Sequence, residues 1–147
     1  MQRITIGWRE WVGLPDLGVQ AIKAKVDTGA RSSALHAWDV EIATGNGTPT
    51  VHFTLHPYQR DLRRTVRASA PLLDMRMVRA SSGHEEERPV IRTQMSLFGR
   101  SWPIDVTLSR RDAMGFRMLL GRQAVRGRFV VDPGRSFLGG RPEKGTR

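Results

Sequence analysis

The residues of this chain best suited to chemistry are Asp27, Thr28 and Gly29, with Ala30 directly after them. An aspartate at the end of an apolar strand, followed by Thr-Gly-Ala, places a carboxylate on a tight turn. Two such carboxylates facing one water can hydrolyse a peptide bond. One is ionised and takes a proton from the water, while its protonated mate donates to the substrate carbonyl. Like charges held close share one proton by coupling, which produces this division of roles. Glycine lets the backbone turn sharply and approach a symmetry mate. The threonine hydroxyl can brace the loop, and the small alanine leaves room for substrate. The motif occurs once: none of Asp16, Asp39, Asp61, Asp74, Asp105, Asp112 or Asp132 is followed by Thr-Gly or Ser-Gly. If Asp27 is catalytic, its partner must be Asp27 of a second copy of the chain. Standing alone, the tripeptide is also ordinary turn chemistry at a strand end.

The elements that must position this loop read as short strands with turn punctuation. Gly18 to Val26 alternates and runs straight into Asp27. Further strands are expected at Ile4–Trp8, Trp38–Ala43, Thr50–Leu55, Arg63–Ala70, Met75–Ala80, Val90–Phe98, Trp102–Leu108, Phe116–Leu120 and Phe129–Val131. Hairpin turns are expected at Thr44-Gly45-Asn46-Gly47, Ser81-Ser82-Gly83 and Gly99-Arg100, and a short helix at Gly121–Val125. No stretch of ten or more residues keeps a helical period. About nine to eleven strands point to an all-β barrel or sandwich. With 147 residues, one domain over 1–138 with a flexible tail over 139–147 is expected.

Composition narrows the partners. Lysine and arginine number 24 against 14 acidic residues, for a formal charge of +10. Lysine appears only at Lys23, Lys25 and Lys144, so the basicity is carried by arginine. Such a field attracts a polyanion: nucleic acid, an anionic membrane or an acidic peptide. Arginine also binds carboxylates through two parallel hydrogen bonds. There is no cysteine, which excludes thiol nucleophiles, thiolate metal sites and disulfides. No apolar run reaches membrane-spanning length and the first residues lack a signal-peptide core, so a soluble, cytoplasmic protein is expected.

A second motif lies about ninety residues after the aspartate. Met118-Leu119-Leu120-Gly121-Arg122 is an apolar strand ending in Gly-Arg and entering the expected helix. Together with Val26-Asp27-Thr28-Gly29-Ala30 it resembles the single-domain retroviral-type aspartic proteases, the retropepsins. The stretches Gly7 to Pro15, Ala24 to His36, Arg88 to Ile91 and Ser109 to Arg122 bring the resemblance closer to the bacterial retropepsin-like family associated with RimK. It extends from Gly7 to about Gly139. RimK is a ligase that adds glutamates to the C-terminus of ribosomal protein S6, and the associated protease is understood to remove them.

The resemblance therefore implies a retropepsin-like acid-protease barrel with one short C-terminal helix. It implies a homodimeric peptidase whose catalytic residues are Asp27, Thr28 and Gly29, acting on an acidic peptide such as glutamylated ribosomal protein S6, with RimK as a further partner. Ala30, Arg31, His36, Arg64 and Arg122 are the candidate substrate-binding residues. Arg31 stands where viral retropepsins carry an acidic residue; it would reverse the charge beside the scissile bond in favour of glutamate, or it is a solvated surface arginine. Lys23, Lys25 and His36 could extend a basic groove or be plain surface. The cluster Arg60 to Arg67, which contains Arg64, could grip carboxylates from a flap hairpin or be a solvated face. Glu85-Glu86-Glu87 reads as an exposed turn, and the four tryptophans as core or dimer contacts.

The family is often labelled an ATP-dependent zinc protease, and the residues argue against both cofactors. His36, His52, His56 and His84 form no His-Glu-x-x-His motif, and no phosphate-binding glycine loop with Lys-Ser/Thr is present. Neither metal nor cofactor is expected. The rival readings are a basic β-barrel that binds nucleic acid, which lacks aromatics interleaved with basic residues on adjacent strands, and a silent member of the fold that only holds acidic tails.

Overall fold

The structure, a computed structural model, describes residues 3–45, 47–58, 63–79, 83–110 and 115–141. The expected turn residues Asn46, Ser81 and Ser82 lie outside these, as do Arg60, Asp61, Leu62 and residues 142–147.

The strands are β1 (Ile4–Leu14), β2 (Val19–Asp27), β3 (Ser33–His36), β4 (Trp38–Ala43), β5 (Thr50–Leu55), β6 (Val66–Arg79), β7 (Glu85–Leu97), β8 (Arg100–Ser109), β9 (Met118–Gly121) and β10 (Phe129–Ser136). One short helix, α1 (Arg122–Val125), follows β9, and a single 3-10 turn at Pro15–Leu17 joins β1 to β2. The order in the sheet is β10-β1-β2-β9-β3-β8-β7-β6-β5-β4, with β1 also pairing β7. That last pairing closes β1, β2, β9, β3, β8 and β7 into a six-stranded barrel, as the all-β expectation required. Closure occurs where Gly13 meets Ser96. A β-carbon at Gly13 would meet the Ser96 hydroxyl, so glycine eases the close approach of the two strands there.

Alternation explains the core. On β2, Ala24 and Val26 are buried while Lys23, Lys25 and Asp27 are half-exposed. The barrel interior is filled by Ile6, Val12, Leu14, Ile22, Leu35, Ile91, Met95 and Leu120, and Phe53 packs with them in the same cluster. Trp102 is buried and donates its indole N–H to the Ala124 carbonyl at 3.1 Å, which ties α1 to the barrel. The other three tryptophans are only partly buried.

Two expectations change. The strands expected at Arg63–Ala70 and Met75–Ala80 are one strand, β6. Pro71 is exposed within it, and a register shift between Leu72 and Asp74 absorbs the bend, so the proline does not end the strand. The Glu85–Glu87 run is not a turn but the start of β7, because each glutamate pairs across to β6, with Glu85 opposite Arg79. β3 is a strand that the sequence does not announce; four residues are too few to show a period.

The β6–β7 pair outruns its neighbours. β5 pairs β6 only up to Pro71, and β8 pairs β7 only from Val90 onward. From Asp74 to Arg79 and from Glu85 to Pro89 the two strands pair with each other alone. The result is a two-stranded arm projecting from the barrel. Arg79–Glu85 at 3.3 Å and Arg88–Glu86 at 2.6 Å are ion pairs within it.

Candidate active site

β9 threads between β2 and β3, parallel to the first and antiparallel to the second. This puts Gly121 directly beside Asp27 and Leu119 beside both Lys25 and Ala34. The Asp-Thr-Gly loop and the Gly-Arg motif, distant in sequence, therefore meet at the same end of the barrel.

The loop itself is a tight turn. Asp27 ends β2; its carboxylate Oδ1 accepts the Gly29 N–H at 3.0 Å, and its carbonyl accepts the Ala30 N–H at 3.1 Å. Among the described residues the Asp27 carboxylate has no other partner, so most of its acceptor capacity faces outward. The loop is held from behind by α1. The Arg122 N–H donates to the Ala30 carbonyl at 2.8 Å, and the Gln123 N–H to the Arg31 carbonyl at 3.2 Å. The Arg122 guanidinium reaches the Gly29 carbonyl at 3.2 Å. Arg122 is thus a brace of the loop.

Gly121 is required by close packing. A β-carbon there would overlap the backbone of Ser32, with the Ser32 nitrogen at 2.8 Å. Its own N–H donates to the Ser33 hydroxyl at 3.0 Å, in a buried position. The Thr107 hydroxyl in turn donates to the Ser33 carbonyl at 3.2 Å. Ser33 and Thr107 fix the outgoing limb of the loop, and neither stands out in the sequence.

Of the candidate residues, Asp27, Thr28, Gly29, Ala30, Arg31 and Arg122 come together. Arg31 is exposed beside the loop, and among the described residues its guanidinium makes no ion pair. His36 and Arg64 lie elsewhere. His36 is buried where β3 meets Arg117, four residues back from Gly121, about 13 Å along the strand. Its ring stacks on Trp38 at 3.9 Å, with the Arg117 guanidinium 5.0 Å from the Trp38 ring and His56 edge-on to it at 4.0 Å. Arg64 precedes β6 and lies over the Tyr58 ring at 4.8 Å.

Glu10 is a buried carboxylate that the sequence does not single out. It is 0% exposed and accepts three backbone N–H groups: Gly7 at 2.7 Å, Leu138 at 2.9 Å and Gly139 at 2.9 Å. It fastens the segment after β10 to β1, which extends the anchored chain to Gly139. Its partners are backbone atoms, so no residue pattern advertises it.

The described donors do not gather as metal ligands. Among the described residues no three histidine, aspartate or glutamate side chains converge, and His36 and His56 are engaged with Trp38. These residues do not fit a zinc site. Among the described residues no helix is long and apolar enough to cross a membrane.

Known proteins resemble this chain in sequence and fold. Residues 5–142 match the model of the RimB-like family, described as retropepsin-like aspartic endopeptidase RimB. A probable alpha-L-glutamate ligase of Desulfotalea psychrophila is 48% identical over 128 residues, covering 87% of this chain but 28% of the ligase. Its namesake in Parasynechococcus marenigrum is 48% identical over 132 residues, covering 90% of this chain and 28% of that protein. The chain thus spans less than a third of the curated relatives it matches. A solved structure from Legionella pneumophila, of unknown function, superposes with a TM-score of 0.76 at 25% identity, covering 94% of this chain and 99% of that one. With the family model spanning nearly the whole sequence and the Asp27 loop braced by the Gly121-Arg122 strand end, the chain belongs to the RimB-like family of retropepsin-like aspartic endopeptidases.

Proposed function

We propose that this chain works as a homodimeric aspartic peptidase, with Asp27 of each subunit facing the other across a twofold axis. The observation that carries the reading is the one Asp-Thr-Gly of the chain, with Asp27 on a half-exposed turn braced from behind by α1. A twofold axis through that turn supplies the mate, because an isologous contact uses the same surface twice. One carboxylate then takes a proton from the attacking water and the other gives a proton to the carbonyl oxygen or the leaving amine.

An acidic substrate follows from charge and from the company the domain keeps. The chain carries +10, and Arg31 sits at the catalytic loop. The matched relatives are named as ligases that act on L-glutamate, so a hydrolase domain of the same polypeptides would meet glutamate chains. We therefore favour a C-terminal oligoglutamate tail, such as that on ribosomal protein S6, in the cytoplasm.

The test is cleavage of an oligoglutamate-tailed protein followed by mass spectrometry. Asp27→Asn should lower the rate by at least about 10³-fold while leaving the fold intact, as loss of an acid–base group does. Full activity in purified Asp27→Asn protein would refute the role of Asp27.

A further inference from the structure

The outer face of β1 and β2 carries a strip of cations and aromatic rings that starts at the catalytic turn. Lys25 and Lys23 follow Asp27 down the half-exposed face of β2. Opposite them on β1 stand Arg9, paired with Lys25, and Trp11, paired with Lys23. Phe137, just beyond β10, adds its ring to the same face, 6.0 Å from Trp11. Arg9 lies 4.9 Å from the Phe137 ring, and Lys23 lies 5.2 Å from Trp11 and 6.0 Å from Phe137. Arg141 continues the series, 4.5 Å from Trp11 and 5.8 Å from Tyr58. The strip joins four segments of the chain. Rings interleaved with cations on adjacent strands, which the sequence does not show, are present in the fold.

The strip has the marks of a built surface. Phe137 is a non-glycine residue at φ 54°, a left-handed conformation that phenylalanine adopts only when its surroundings hold it. It is held by its N–H to the Arg9 carbonyl at 2.9 Å and by the clamp of Glu10 on Leu138 and Gly139. Stacking on rings fixes a cation's position, and Arg9 is held further by its Nε–H donating to the Ser136 hydroxyl at 3.1 Å. Among the described residues Arg9, Lys23 and Arg141 make no ion pair with a carboxylate of the chain.

We propose that this strip is a docking track for the acidic segment of the substrate, an oligoglutamate chain laid along β2 and leading to the catalytic turn. The inference rests on the reading of Asp27 as the catalytic carboxylate. The spacing supports an extended peptide: side chains on one side of a strand recur every two residues, about 7 Å, which is also the separation of Lys23 and Lys25. From Asp27 to Lys23 the track spans about 13 Å, or about four extended residues, and Arg141, between the Tyr58 ring and the Trp11 ring opposite Lys23, widens its far end.

The experiment measures binding of fluorescent tetra- and octaglutamate to Asp27→Asn protein by anisotropy at low salt. The octamer should bind at least about tenfold tighter than the tetramer, with steep salt dependence. The Lys23→Gln/Arg141→Gln double variant, shown folded by its melting curve, should lose that length advantage, and Lys23→Arg should keep it. An unchanged length advantage in the double variant overturns the track, as does single-stranded oligouridylate of equal charge displacing the octamer at lower concentration than unlabelled octaglutamate. Binding is read without cleavage, so the two readings fail separately: a track that binds in a protein whose wild type cleaves nothing condemns the peptidase reading alone.

Discussion

Replacing Glu10 with glutamine changes one oxygen to an amide and nothing in volume, yet the structure makes it a severe test. Both carboxylate oxygens are committed, one to the Gly7 and Leu138 N–H groups and the other to Gly139, in a site with no solvent exposure. Glutamine can satisfy one side only. With its carbonyl toward Gly7 and Leu138, its NH₂ confronts the Gly139 N–H, donor against donor. A buried donor left unsatisfied costs about 1–3 kcal/mol, and the two surviving bonds lose their charge assistance, about 0.5–1 kcal/mol each. Relief from burying a charge offsets part of this. The net expectation is about 2–4 kcal/mol of lost stability, or a Tm lower by roughly 5–15 °C for a domain of this size. Calorimetry of wild type and Glu10→Gln measures it, and limited proteolysis should find new cleavage between Phe137 and Arg141. A loss below about 1 kcal/mol with an unaltered proteolysis pattern would refute the clamp.

Gly121→Ala should destabilise by about 1–3 kcal/mol and lower kcat more than stability alone explains, because the clash is with the backbone of Ser32 in the catalytic loop; thermal melts and steady-state kinetics check both. Ser33→Ala strands the buried Gly121 N–H and should cost about 1–3 kcal/mol, whereas Ser33→Thr, which restores the hydroxyl, should recover most of it in the same melts.

The Asp27 loop is legible in the sequence because both of its halves carry local signatures. Asp27-Thr28-Gly29 is a turn with a carboxylate, and Leu119-Leu120-Gly121-Arg122 is a buried strand with a forced glycine. The alternation of Gly18 to Val26 correctly aims β2 at the turn, and the short apolar runs indicate the barrel class. What stays hidden depends on long-range pairing. The His36 ring is buried because β3 lies against Arg117, a contact between segments about eighty residues apart. Ser33 and Glu10 act on backbone N–H groups, which leave no trace in residue types. β6 reads as two strands divided near Pro71 because proline ends a regular central strand, whereas here the register shift between Leu72 and Asp74 accommodates it. The cation–aromatic strip combines Arg9, Lys23, Tyr58, Phe137 and Arg141, drawn from four separate segments that only the folded chain brings together.

Shared catalysis by two copies of Asp27 is measured most directly by mixing. Wild-type and Asp27→Asn chains are unfolded together, refolded at fixed total concentration in varying ratio, and assayed for cleavage of an oligoglutamate-tailed protein. If each site needs an aspartate from both subunits, activity follows the square of the wild-type fraction, and an equal mixture retains about one quarter of full activity. Activity proportional to the wild-type fraction itself, about one half at the equal mixture, would show that each chain works alone and would contradict the shared site.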